Sequence, residues 1–370
     1  MGSERPVGVL MMGDESWVIG DRTLRSSGGG VFAAIGSSRQ WKFVTGLVAI
    51  CRYALPMQLL GFSAALANRL SGTVRGAPGV SRMNASAAET FVPLARGFFL
   101  EGLLIYGDDV WFTDVTAGGV RRLGSDQVLL DDRTMIAGLL LNADGSLLVA
   151  GPGGIVWTHP VTGASGTLVT GVPGTNEMYP DGQGGMMFGT IDLPAILRGE
   201  KPGPSSIYRL CADRRKTLLC DGLAFANGLA IDADRSTLFF NESFAATRAF
   251  PIEPDGSLGE PRLLADKRDC DGMALDVDGN VWVSGFASGE LICLRPDGHE
   301  VRRLPLPGKA CSNVRFGGAD MRDLYVTVID PAAARALACG TPLKEQNSVL
   351  YRTRSPVAGA PVARTSFNLQ

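Results

Sequence analysis

The chain has 370 residues, 45% hydrophobic and 19% charged, with 48 glycines and 21 prolines, so apolar material suffices for a full core and the glycine excess favours many turns over long helices. A formal net charge of -2 and a pI near 5.8 offer no basic stripe for a phosphate backbone, which excludes an electrostatically held nucleic-acid partner. The seven cysteines, at 51, 211, 220, 270, 293, 311 and 339, are odd in number and contain no CxxC, which points to a reducing, cytoplasmic compartment rather than a disulfide scaffold.

Residues 1–82 differ from the rest: they hold Gly28-Gly29-Gly30, scattered arginines and an apolar tract from Phe43 to Ala67. Arg52 and Pro56 break that tract, so it makes a poor membrane span, and it starts too late for an ordinary signal peptide. The stretch reads as a poorly structured extension or as sequence outside the natural folded protein. Met83, which opens Met-Asn-Ala-Ser-Ala-Ala-Glu-Thr directly before strand-like sequence, is then the expected functional start.

From about residue 90 the pattern becomes regular. Phe91 to Leu94 is a short strand candidate, and Glu101-Gly102 precedes a hairpin of Val110-Trp111-Phe112 and Val120 to Leu123. Comparable units begin near Ala137-Gly138, Asn176-Glu177, Asn227-Gly228, Asp271-Gly272 and Asn313, at spacings of 36, 39, 51, 44 and 42 residues. The clearest unit is Cys270 to Gly285: an aspartate on a tight turn, an alternating strand through Met273, Leu275 and Val277, an Asp278-Gly279-Asn280 turn and a second apolar strand from Val281 to Val283. Asn227-Gly-Leu-Ala-Ile-Asp-Ala-Asp repeats its pattern. Short strands at such a period are the signature of propeller blades. The expected fold is all-β, one six-bladed β-propeller over 83–355, followed by a C-terminal tail, 356–370. The widest spacing holds Asp192-Leu-Pro-Ala-Ile-Leu-Arg-Gly-Glu-Lys-Pro-Gly-Pro, an insertion able to lie over one face.

In a propeller the starts of the innermost strands converge on the central channel although they are far apart in sequence. Here those positions carry Glu101, Asn176, Asn227 and Asp271. Each alone is also what an Asx turn or a solvated loop supplies. Together they form an oxygen set suited to Ca²⁺, Mg²⁺ or Mn²⁺ rather than to a thiolate zinc site. Other chemistries find little support: His159 and His299 are the two histidines, GxSxG is absent, and so is GxxxxGK[ST]. Cys270, beside Asp271, has no cationic neighbour in sequence to activate it and reads as an inert thiol.

These stretches resemble the senescence marker protein-30, gluconolactonase and luciferin-regenerating enzyme family. The resemblance rests on Glu101-Gly102 with Val110-Trp111-Phe112-Thr113-Asp114, Asn176 through Thr190, Asn227-Gly-Leu-Ala, Asp271-Gly-Met-Ala with Gly279-Asn-Val-Trp-Val, and Phe316-Gly-Gly with Leu324-Tyr-Val-Thr. It covers about 90–355. It implies a six-bladed propeller holding one divalent cation through Glu101, Asn227 and Asp271, with Asn176 facing the substrate or completing the metal shell. Calcium is the first expectation, with Mn²⁺, Mg²⁺ or Zn²⁺ as alternatives. The implied activity is opening of a lactone ring with Asp271 as general base; Glu177, next to the substrate-facing Asn176, is a second candidate base by its position. Departures occur at Leu103, where the family often has proline, at Asn176-Glu177-Met178, where it often has Asn-Asp-Gly, and at Gly174, where an arginine is common. The alternatives are hydrolysis of a phosphoester or organophosphate on the same scaffold, or a non-catalytic propeller with a structural cation and a bound partner. A small-molecule lactone or ester is the expected ligand, with no nucleic acid and no membrane involved.

Overall fold

The computed structural model describes residues 16–19, 22–25, 90–198, 200–330, 333 and 343–369. Ser16–Ile19 and Arg22–Arg25 pair antiparallel as a hairpin, a unit by itself. Met83 and the remainder of the expected extension lie outside the described residues.

From Val92 onward the described chain forms six four-stranded antiparallel sheets. Their inner strands are Leu100–Tyr106, Leu139–Leu141, Thr175–Pro180, Ala226–Ile231, Cys270–Leu275 and Lys309–Gly317, in blades one to six. Each inner strand packs against the next, and Lys309–Gly317 packs against Leu100–Tyr106, so the ring closes as a six-bladed β-propeller. The sequence expectation is met. Closure is covalently staggered: the outer strand of blade six is Val92–Gly97, paired antiparallel with Ser348–Arg354. Pro93 fits there because an outermost strand leaves one edge without ladder bonds.

The core is a ring of seams rather than one centre. Ala230 and Phe239 of blade four pack with Met273 and Val283 of blade five, and comparable clusters fill the other five seams. In the seam between blades five and six, Trp282 and Phe316 meet edge to face at 5.7 Å, the geometry that aromatic quadrupoles favour. Val277, read from the alternating pattern as strand, stands exposed on the turn beyond Leu275.

Residues 356–369 cross the face formed by the turns that end the inner strands. Val277 N donates to Ala358 O at 2.9 Å, Ser366 N to Gly184 O at 2.8 Å and Ala143 N to Thr365 O at 2.8 Å. Phe367 and Leu369 are buried in the seam between blades two and three. The opposite face, where the inner strands begin, is left to the site. Among the described residues no helix is long and apolar enough to cross a membrane. The five described cysteines, 211, 220, 270, 293 and 311, are free thiols.

Candidate active site

Each site residue sits on a β-bulge. The register between inner and second strand slips between Glu101 and Leu103, between Thr175 and Met178, between Ala226 and Leu229, and between Cys270 and Met273. Asn227-Gly228 therefore oppose Asn241 alone, and Asp271-Gly272 oppose Ser284 alone. A bulge bends its strand and re-aims a side chain, here toward the channel mouth. The glycine that follows is required by close approach. A methyl group on Gly228 would lie 2.5 Å from the Asp271 carbonyl oxygen, and one on Gly272 would lie 2.7 Å from Asn313 Cα.

The second strands lock the bulges. Asn241 Nδ2 donates to the carbonyl oxygens of Asp271 at 2.7 Å and Gly272 at 3.2 Å, while Thr247 donates to Asn241 Oδ1 at 2.7 Å. Ser243 accepts from Asn227 Nδ2 at 3.2 Å and donates to Cys270 O at 2.5 Å. Asn176 Nδ2 donates to Asn227 Oδ1 at 3.1 Å. Glu101, Asn176, Asn227 and Asp271 thus converge on one cavity of about 1080 Å³ that opens on this face.

Blade three departs from the glycine rule. Glu177 occupies the slot filled by Gly102, Gly228 and Gly272 elsewhere, and its side chain is accommodated because Gly138 of blade two faces it. It does not line the cavity. Its carboxylate accepts from Arg315 at 2.7 Å and from Asn313 at 3.3 Å, and the same Asn313 amide donates to Glu101 at 3.2 Å. The pair is enclosed, with side-chain exposures of 1% for Glu177 and 12% for Arg315. Arg315 is held further by Met273 O at 2.8 Å and Asn313 Oδ1 at 2.8 Å.

Charge is out of balance here. In this bonded group one guanidinium faces Glu177 and Glu101, with Asp271 beside them. Burial, with the Glu177 charge second, pushes the Glu101 carboxyl up to about 7. Burial followed by the charges of Glu101 and Glu177 holds Asp271 well above the usual carboxylate range. Desolvation and like charge both disfavour the ionised forms, and a bound cation would relieve both. Among the described residues no three His, Cys, Asp or Glu side chains make a metal cluster by themselves. The candidate donor set is mixed, two carboxylates with two amides, and its hard oxygens and surplus negative charge fit a divalent ion of the calcium type.

Sequence reasoning passed over Asn241, Ser243, Asn313 and Arg315 as site residues. Arg315 carried a readable signal: it stands two residues after Asn313 on an inner strand, hence on the same face of the strand, where apolar or small residues are the rule. Cys270 is buried and its thiol is pushed up by burial, in keeping with an inert role. Gly174, the departure from the common arginine, stands against Leu193, whose Cβ would be 2.8 Å from an added methyl. The insertion that supplies Leu193 has taken that space. It forms the short helix Leu193–Leu197, capped by Asp192 Oδ1 accepting from Ala195 N at 3.2 Å.

The fold and site define a propeller with an oxygen-lined pocket at the mouth of its channel. Residues 100–330 match the family model described as SMP-30/Gluconolactonase/LRE-like region, and the chain belongs to that family. It is similar to a pentonolactonase of Haloferax volcanii, 27% identical over 241 residues that make up 61% of this chain and 80% of the relative. It is also similar to a 6-deoxy-6-sulfogluconolactonase of Pseudomonas putida, 29% identical over 158 residues, 41% of this chain and 53% of the relative. A luciferin-regenerating enzyme shares the fold, with a TM-score of 0.61 at 19% identity over 76% of this chain and 100% of that one.

Proposed function

We propose that the chain is a hydrolase that opens a lactone ring with the help of one divalent cation. The observation that carries this reading is the convergence of Glu101, Asn176, Asn227 and Asp271 on one cavity. Lactonases among its relatives support the substrate class. Glu101, Asn227 and Asp271 would hold the cation, with Asn176 adjacent to complete the shell or face the substrate. When bound, a divalent ion of this kind supplies Lewis-acid polarisation of the carbonyl and compensates the developing negative charge.

The chain's own residues do the rest. Asp271 has two carboxylate oxygens, so one remains to take a proton from the attacking water as its oxygen bonds to the carbonyl carbon. The ring C–O bond then breaks, the proton returns to the departing alkoxide, and a hydroxy acid leaves. Asn241 and Ser243 keep the backbone at 270–272 fixed during this exchange, and such positional control contributes much of an enzyme's advantage. Glu177, tied to Arg315 and outside the cavity, acts as a positioning residue.

Among the described residues lining the cavity, the cations already have partners: Lys267 pairs with Asp269, Arg268 with Asp266, and Arg303 with Glu290 and Glu300. This favours a neutral cyclic ester over an anionic phosphoester. The test is hydrolysis of a lactone panel with and without a chelator, using wild type and Asp271→Asn. The substitution keeps volume and an oxygen donor, so the fold should persist while turnover falls by about 10²-fold or more. Wild-type rates in Asp271→Asn at saturating metal would overturn the assignment.

A further inference from the structure

The walls of the cavity differ in kind from its floor. Polar groups line the floor at the inner-strand starts, and the mutually paired charges Lys267 with Asp269 and Arg303 with Glu290 and Glu300 line the blade-five side. Above the floor, the inserted helix offers Ile196 and Leu193, and blade four offers Phe225 and Phe244, whose rings meet edge to face at 5.7 Å. These side chains form one apolar cluster with Ile191 and Met135. On the other side Phe99 and Phe286 stand 6.2 Å apart. Both flanks are built deliberately. Asp114 accepts from the backbone of Phe99, Thr116 and Ala117 and so fixes the loops bearing Phe99 and Val115. Asp269 accepts from Ala287 and Ser288 and fixes the loop bearing Phe286.

From this we infer that the substrate is a lactone bearing an aryl or long alkyl substituent, held between the Phe225–Phe244 wall and the Phe99–Phe286 wall, rather than a polyhydroxylated sugar lactone. The inference deepens the lactonase reading and rests on it. A sugar lactone carries several hydroxyls, and a buried hydroxyl without a partner is penalised by its lost hydration. An apolar substituent gains from the same walls roughly in proportion to the area it buries. The cavity, at about 1080 Å³, is also larger than an unsubstituted six-membered ring needs, being at the upper end of small-molecule pockets.

The experiment compares three lactones of equal ring size on the calcium-loaded protein: glucono-δ-lactone, δ-decalactone and δ-phenyl-δ-valerolactone. We expect kcat/KM for the two apolar lactones to exceed that for the sugar lactone by about 10²-fold. Ile196→Asn and Phe244→Ser should narrow that ratio by about 10-fold or more. In parallel, binding of the matching non-hydrolysable δ-lactams is measured by calorimetry, with the phenyl lactam expected to bind at least about 10-fold tighter than the gluconolactam. A sugar-lactone preference in turnover, or equal or tighter binding of the gluconolactam, overturns the inference and leaves the lactonase reading standing. Absence of any lactone hydrolysis, with tight phenyl-lactam binding retained, refutes the lactonase reading and supports the apolar ligand.

Discussion

Glu177→Gln separates a base from a brace. The substitution preserves shape and removes one charge from a pair with 1% and 12% side-chain exposure. Breaking such a pair costs about 3–5 kcal/mol when the partner is left wholly uncompensated. Arg315 is not left so, because Met273 O, Asn313 Oδ1 and Val314 O still accept from it at 2.8, 2.8 and 2.9 Å, and glutamine retains an accepting oxygen. Loss of the Glu177 charge also relieves Glu101 and Asp271, both of which it pushes upward. The net destabilisation should be about 1–3 kcal/mol, a fall in Tm of about 2–10 °C for a domain of this size. Turnover should drop by less than about 10-fold, and the acidic limb of the pH–rate profile should move to lower pH as Asp271 ionises more readily. Thermal melts and pH-stat assays on saturating lactone give both numbers. A loss of 10²-fold or more with an unchanged Tm and unchanged calcium response would refute this reasoning and make Glu177 the base.

Two further outcomes follow from the same architecture. In chelator the Glu101 carboxyl, raised from 4.5 to about 7, binds its proton more tightly folded than unfolded, so its contribution is complete below about pH 4.5 and is lost as pH rises through 7, on the order of 3 kcal/mol. Tm in chelator should therefore fall across that window, calcium should restore it most at the alkaline end, and Glu101→Gln should flatten the trend; a chelator Tm that climbs from pH 5 to 7.5 would contradict this. A chain starting at Met83 keeps the closing strand Val92–Gly97 and should melt within about 2 °C of the full chain. One starting after Gly97 leaves Ser348–Arg354 as an open edge, and should melt lower and sediment as aggregate; equal melting of the two would remove the closing strand from the account.

The sequence carried the fold because propeller blades repeat: spacing, Asp-Gly turns and the recurring acid-or-amide before an inner strand are all local signals. It carried the four cavity-lining oxygens for the same reason, since equivalence among blades places equivalent residues on one ring. What it did not carry depends on contacts across the ring. Arg315 meets Glu177 over 138 residues of chain and Asn313 meets Glu101 over 212, and no periodicity announces such a crossing. Glu177 stood in view next to Asn176, yet its burial under the site follows from filling a glycine slot opposite Gly138, which only the packed blades reveal. The apolar walls come from loops and from the inserted helix, outside the repeat altogether.

The staggered closure has a consequence for synthesis. Val92–Gly97 emerges before any blade is complete, yet its ladder partner belongs to the last blade, and Leu100 and Ser348, which bond at 3.0 Å, are 248 residues apart. At about 5–20 residues per second, the first strand waits on the order of 10–50 s with its ladder groups unmatched. Proline at position 93 and Arg96 are the residue types that discourage a waiting edge from recruiting a stranger. Latching the ring is thus a late event, of high sequence separation and correspondingly slow, and a growing chain carries five blades before it can carry a closed ring.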